Sequence, residues 1–406
     1  MKTRILDQAH NLQEQLIHWR RDIHMHPEIG FHEHRTARLV ADTLQEMGLD
    51  VETGIGKTGV VARLGSGTPA VGLRADMDAL RIQEANDVPY ASRVPGLMHA
   101  CGHDAHTAML LGAARILSQD KNRPSGEIRF LFQPSEEGWD EEGKGGAKRM
   151  MEDGALQGLN AIFALHVDST QPSGTIGIRE GVVMAGVHPY DAVIFGTSSH
   201  SAAPHQGVNP VLLLAHVIEA IQAIPANDTP PLQPAIISCE SVQAASSSGV
   251  IPDRATLHGN IRFYDRETRQ AIQAALERAF EITRTLGGNY ELSILEAYPP
   301  TYNDHLLSKV VRQVAVEMIG ERQLYRPGRS LAGEDFGDFA AEIPGAYFNL
   351  GVGLEDDFRP YHNPHFDIDE SALPAGCAVL AGCALHFLET DLPSPEDNGA
   401  YNKKLT

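Results

Sequence analysis

The chain has 406 residues, more than a single hydrophobic core comfortably holds, so two domains are expected, and its 42% apolar content suffices for both. Its 33 Lys plus Arg against 53 Asp plus Glu leave a net charge of -20, which repels phosphate backbones and anionic lipid, so neither nucleic acid nor a membrane is an expected partner. Cys101, Cys239, Cys377 and Cys383 have no paired spacing, no apolar signal segment precedes HWRRDIH, and no apolar run reads as a membrane span, which together predict a soluble protein in the reducing cytoplasm.

In ILDQAHNLQEQLIHWRRDIH the apolar positions Leu6, Ala9, Leu12, Leu16 and Ile23 keep helical spacing, and TARLVADTLQEMG repeats the pattern until Gly48; both read as amphipathic surface helices. VVARLGSG, AVGLRADMDA, EIRFLFQP and AIFALHV are short, nearly continuous apolar runs, the pattern of buried strands in a central sheet. From about residue 185 the order becomes strand (VHPYDAVIFGT), helix (NPVLLLAHVIEAIQAI), strand (AIISCESVQA), strand (ATLHGNIRFY), helix (RETRQAIQAALERAFEITRTLGG) and strand (NYELSILEA). This βαββαβ order suits a ferredoxin-like domain of its own. After AYPPTYND a helix from about Leu306 to Ile319, a strand AYFNLGVG and a last helix ESALPAGCAVLAGCALHFLE resume the first pattern. The predicted fold class is α/β, a split domain over 1–184 and 298–406 with the ferredoxin-like domain, 185–297, inserted in it.

Open α/β sheets bind ligands at the carboxyl edge of their strands, and that is where the metal-binding side chains of this chain fall. Asp76 and Asp78 end AVGLRA, Glu136 and Glu137 follow EIRFLFQP, His166 ends AIFALHV, and His362 and His365 follow AYFNLGVG in RPYHNPHFD. MHACGHDAH adds Cys101 and His103, two ligand types separated by one glycine at the start of a helix. Such a sulfur, nitrogen and oxygen set holds zinc or another divalent first-row ion. The plain alternative makes Cys101 a small buried apolar residue and His103 a helix cap, and an exposed Glu-Glu pair is ordinarily solvated; against that, this pair closes an almost wholly apolar strand. Adjacent glutamates at a strand end face different ways, so one can ligate while the other addresses a bound water.

Other clusters read as structural. His24, His26, His32 and His34 in HMHPEIGFHEH are expected to cap, stack or face solvent, and Cys239, Cys377 and Cys383 to pack in the core.

Taken in order, HACGHDAH, QPSEEG, the terminal His of ALHV, HSAAPHQGVNP, GEDF and HNPHFDIDE resemble the M20 metallopeptidase family, in particular its N-acyl amino acid amidohydrolases, over about residues 15–390. The resemblance implies a split metal-binding catalytic domain with an inserted lid or dimerisation domain. It further implies two divalent metal ions per chain (Zn, or Mn, Co or Ni), with Cys101 bridging them and His103, Glu137, His166 and His362 completing their shells. Glu136 then stands as general base, His200 in SSHSAAP as the group that reaches the substrate carbonyl, Asp78 as the aspartate behind the ligands, and Asn260 and Arg262 near the substrate carboxylate. One departure is EEGWDEEGKGGAK, where similar sequences pass almost directly from the paired glutamates to a GGAK-like segment. Asp140, Glu141 and Glu142 in that stretch read as a solvated loop, with an additional cation site as the alternative.

The expected reaction is hydrolysis of the amide bond of a small-molecule N-acyl amino acid by water activated between the two ions, with Glu136 as base. A dipeptidase or carboxypeptidase on the same dinuclear site is the nearest rival, and a catalytically silent metal-dependent binding protein the rival of another class. An edge strand and an exposed helical face in the inserted domain predict a homodimer or homotetramer.

Overall fold

In the computed structural model, which describes residues 2–230, 232–355 and 357–390, the apolar runs of the sequence become neighbouring strands. The described residues divide into two units, one of residues 2–183, 302–328 and 335–390, the other of residues 184–301 and 329–334.

The first unit is built on an eight-stranded sheet in the order Asp50–Ile55, Gly59–Ser66, Gly126–Gln133, Ala70–Asp76, Ala161–Pro172, Gly345–Gly353, Ile176–Gly177, Leu324–Tyr325. Its four middle strands run parallel, with Val71 opposite Ile128 and Ala161, and His166 opposite Asn349. Their carboxyl ends therefore share one edge. Alternation of side chains lets both faces of the sheet bury apolar surface: Ala346, Phe348 and Leu350 enter the main core, while Tyr347 between them stacks on Phe336 of the helix Phe336–Glu342. The helices His103–Gln119 and Leu373–Glu389 cover the core face, where Phe387 meets Phe163 edge to face.

Three details differ from the sequence reading. The N-terminal helix is two, Lys2–Asn11 and Gln13–Met25, with Leu12 at ψ 0° between them and its N–H shared by the Gln8 and Ala9 carbonyls. The second of these is no surface helix, since it buries Arg20 and His24 together with Leu16, Trp19 and Ile23. The strand expected to end at His166 runs on to Pro172. Its pairing with Ala70–Asp76 stops at Ala164, so His166 lies where one neighbour has left and the sheet has opened.

The second unit has the ferredoxin-like arrangement, an antiparallel sheet in the order Ile236–Gln243, Arg254–Phe263, Gly186–Phe195, Asn289–Ile294. The helices Pro210–Asn227 and Arg266–Thr285, each capped by an acidic or amide side chain (Asn209, Asp265), pack on one face over a core that includes Tyr190, Leu257, Ile261 and Phe280. Thr256, His258, Asn260 and Arg262 alternate with that core and take the opposite face. The unit exceeds the 185–297 expected for it: Val187 pairs with Tyr298, and Ala185 N–H is shared by the Ser330 and Ala332 carbonyls, which draws residues 329–334 into it.

Contrary to the sequence reading, two helices are long and apolar enough to cross a membrane by length and composition, Pro210–Asn227 and Glu370–Glu389. The latter is 83% buried inside its unit, and a helix enclosed on every side is apolar all round for that reason alone.

Candidate active site

Gly102 sets the first part of the site. At φ +97° it occupies a conformation costly for other residues, and an added Cβ would sit 2.4 Å from Val167 Cγ2. The turn it permits places Cys101 before the helix His103–Gln119 and His103 in its first turn. Cys101 Sγ lies 3.4 Å from His166 Nε2. The loop after Gly345–Gly353 returns to the same point, because His362 N–H donates to the Ala100 carbonyl at 2.9 Å.

Each imidazole has its Nδ1 engaged and its Nε2 turned inward, apart from His362, whose Nε2 alone is defined by a neighbour. His166 Nδ1 is 2.7 Å from the Val167 carbonyl, and His103 Nδ1 is 3.0 Å from the Asp78 carbonyl and 3.1 Å from Asp78 Oδ1. A ring that donates from Nδ1 presents a lone pair at Nε2. His103 Nε2 is buried without a hydrogen-bond partner, and so is Glu137 Oε1, although His362 Nε2 lies only 3.0 Å from it. That contact is an ion pair, and Glu137 raises the affinity of His362 for a proton above its ordinary value.

His103, Glu136 and Glu137 form one group of ligand atoms within 4.8 Å of one another, and two more meet at the thiol: Cys101 with His103 and His166, and Cys101 with Glu137 and His362. Glu136 is buried beside them, its Oε2 3.9 Å from His103 Nε2. Asp78 ties the two halves together, since its other carboxylate oxygen accepts the Glu137 N–H at 2.9 Å.

The electrostatics are those of a cation site. Burial lowers the affinity of His103 for a proton, but Asp76, Asp78 and Glu137 outweigh it and push the ring up to about 10. Burial, Glu137 and Glu136 push the Cys101 thiol well above its ordinary value. Burial and the neighbouring His106 hold His166 well below its own, as a neutral ring. Surplus carboxylate, a thiol that cannot ionise alone and a His103 ring that keeps its second proton beside those carboxylates are together satisfied by divalent ions, which would displace both protons. The donor set fits such ions.

Not every nearby group is a ligand. Asp76, His103 and His106 also lie within reach of a shared ion, but His106 is fully used: its Nε2 accepts the Val167 N–H at 2.9 Å, so its Nδ1 carries the proton and donates to Asp76 at 2.6 Å. Asp76 in turn receives Arg74 at 2.7 Å, and Arg74 reaches Asp335 at 3.0 Å. His106 thus holds the strand that carries His166. The sequence signal for it was present, since His103 and His106, three apart, share a helix face.

The remaining candidates are elsewhere. His365 is exposed. His24 is bound to Asp104 at 2.7 Å, and His26 and His32 to the carbonyls of Asp22 and Gly30. The acidic loop neutralises itself, with Asp140 on Lys57 and Arg149 and Glu142 on Lys144 and Arg149. His200, Asn260 and Arg262 belong to the second unit. His200 is exposed on the short strand Ser199–His200, paired with Val250–Ile251, and its Nδ1 accepts the Ala202 N–H at 3.0 Å. Asn260 Nδ2 donates to Glu240 at 2.9 Å, and Arg262 Nη1 to the Leu331 carbonyl at 2.7 Å.

Similarity to known proteins agrees with this chemistry. The chain is 37% identical over 385 residues to a Saccharolobus solfataricus protein named thermostable carboxypeptidase 2, covering 93% of this chain and 96% of the other. It is 36% identical over 386 residues to the Bacillus subtilis N-acetyl-L-cysteine deacetylase, covering 94% and 90%. Among solved structures, the Bacillus subtilis YXEP protein, described as a dinuclear metal binding peptidase from the M20 family, superposes with a TM-score of 0.80 at 34% identity over 94% of this chain and 99% of the other. Residues 72–386 match the family described as Peptidase family M20/M25/M40. With most of its length matched to that family and to full-length relatives, the chain is a member of it and one of its metal-dependent hydrolases.

Proposed function

We propose that this hydrolase cleaves the amide bond of N-acyl amino acids, releasing a carboxylic acid and an amino acid, at a pair of divalent ions held by Cys101, His103, Glu137, His166 and His362. The observation that carries the reading is the sharing of Cys101 between two ligand groups with Glu136 buried beside them. Bound there, the ions would acidify a water so that it attacks near neutral pH. Glu136 takes the water's proton as the carbonyl is attacked and passes it to the departing nitrogen, a role whose contribution is typically about 10² to 10⁴-fold. His200 supports the oxyanion: with Nδ1 accepting from Ala202, a neutral ring carries its proton on Nε2, where it donates to developing negative charge. Asn260 and Arg262 are assigned to the substrate carboxylate.

Thiolate and imidazole favour zinc, and manganese, cobalt and nickel suit the same donors. The assembly proposed is a homodimer or homotetramer through the inserted unit, whose sheet ends in the edge strands Ile236–Gln243 and Asn289–Ile294, and the setting is the reducing cytoplasm, which keeps Cys101 a thiol.

The rival is a carboxypeptidase, favoured by the similarity to the Saccharolobus enzyme. Amine release from a panel of N-acyl amino acids and peptides by metal-reloaded protein, with a chelated control, separates the two. Chelator-sensitive release from acyl amino acids is the expected result. Release from peptides alone transfers the site to the carboxypeptidase reading, and Glu136→Gln should cut turnover at least about 100-fold with both ions retained.

A further inference from the structure

Glu136 is bracketed by two backbone N–H groups, each held by a different carboxyl. Asp78 accepts the N–H that follows, that of Glu137. The N–H that precedes, that of Ser135, donates at 2.8 Å to Glu33 Oε1, whose other oxygen accepts the Thr58 hydroxyl. Glu33 is fully buried and distant in sequence from both. We propose that Glu33 is a positioning residue for the general base, its carboxyl holding Ser135 in the backbone conformation that aims Glu136 into the site; this rests on the role given to Glu136 above.

Ser135 needs such a brace. Its φ is +42°, a left-handed conformation that a residue with a Cβ seldom adopts and that persists only when its surroundings impose it. Every polar group of the residue is used: its N–H goes to Glu33, its hydroxyl donates to the Gly138 carbonyl at 3.2 Å, and its carbonyl accepts the Gly146 N–H at 2.9 Å. Gly30 presses on it closely enough that an added Cβ would lie 2.3 Å from Ser135 Oγ and 2.8 Å from its Cβ. Two residues of the stretch PEIGFHE that are not histidines, Gly30 and Glu33, thus bear directly on Ser135.

The helix that begins after Glu33 leaves that carboxyl available. A residue at this helix-preceding position ordinarily turns its side chain onto the helix's own first N–H groups. Here Glu28 does so instead, accepting from Arg35 N–H and Thr36 N–H at 2.9 Å each, and Glu33 makes no cap bond. Burial and the nearby Asp78 push the Glu33 carboxyl up to about 7, so an amide of the same length is a fair mimic of it.

The test compares Glu33→Ala, Glu33→Asp and Glu33→Gln in the metal-loaded protein by kcat, KM, bound metal per chain and thermal midpoint, with Glu136→Gln alongside. A misaimed base lowers kcat by about 10 to 100-fold with KM and metal content kept. That loss is expected in Glu33→Ala, and equally in Glu33→Asp, which keeps the carboxylate but is one methylene too short to reach Ser135. Glu33→Gln should recover to within about threefold of the parent, because its amide oxygen still accepts the Ser135 N–H. Unimpaired kcat in Glu33→Asp overturns the proposal, as does a loss that follows metal content or folding and is not rescued by Gln. A fully active Glu136→Gln would remove the base itself, whereas an inactive Glu136→Gln beside an unimpaired Glu33→Asp removes only the brace.

Discussion

Cys101 decides the character of the site at the scale of single residues. A carboxylate could also be shared by two ions, but a half-buried thiol beside Glu136 and Glu137 resists ionisation until a cation arrives, so metal binding should release a proton and strengthen with pH. Cys101→Ala removes the atom common to two ligand groups. It should lose metal and turnover together, measured as metal per chain after dialysis and as amine release. A variant that keeps two ions would show that Cys101 does not bridge. His106, by contrast, has no nitrogen left to offer an ion. Its two nitrogens are spent on Asp76 and Val167, and its worth is the orientation it gives to His166.

Between residues and fold stand the junctions, where one strand end or helix start decides whether ligands meet. At Gly102 a positive φ and the close approach of Val167 coincide, between two proposed ligands. Gly102→Ala adds a Cβ to a left-handed conformation and drives it toward Val167, for about 1 to 3 kcal/mol of strain. The helix His103–Gln119 has its own apolar face to hold it, so it should remain folded while Cys101 and His103 separate. Metal affinity is therefore expected to fall by more than thermal stability does, with circular dichroism showing helix content retained. Equal losses of both would mean that Gly102 serves only to pack the chain. The strand Ala161–Pro172 makes the complementary point, since His166 becomes available because its neighbour Ala70–Asp76 stops pairing at Ala164.

Across the whole molecule, buried charge couples stability to pH. The Glu33 carboxyl ordinarily titrates at 4.5 and in the folded chain is pushed up to about 7 by burial and by Asp78. The folded state holds that proton more tightly, so its contribution to stability is complete below the unfolded value and is lost as pH rises through 7. The metal-free parent should lose stability against Glu33→Gln between about pH 5 and pH 8, by up to about 3 kcal/mol in urea titrations. Parallel pH curves for the two proteins would contradict it.

Much of this was legible in sequence because it depends on local period and on strand ends. Continuous apolar runs specify buried strands, βαββαβ order specifies the second unit, and polar residues that break an apolar run at its carboxyl end collect at one edge of a parallel sheet. Glu136, Glu137, His166 and His362 stood out as candidates on that ground, and Cys101 and His103 by their spacing at the start of a helix. Glu33, His106 and the extent of the second unit were not. Glu33 meets Ser135 across about a hundred positions, Ala185 pairs with residues 330 and 332, and Leu12 breaks a helix whose periodicity runs straight through it. Which donor finds which acceptor over such separations is decided by the closing of the chain on itself, when every buried polar group must find a partner. Composition and spacing therefore determined the kinds of groups available and the edge on which they gather; only the tertiary structure decided which groups point at the site and which hold the others in place.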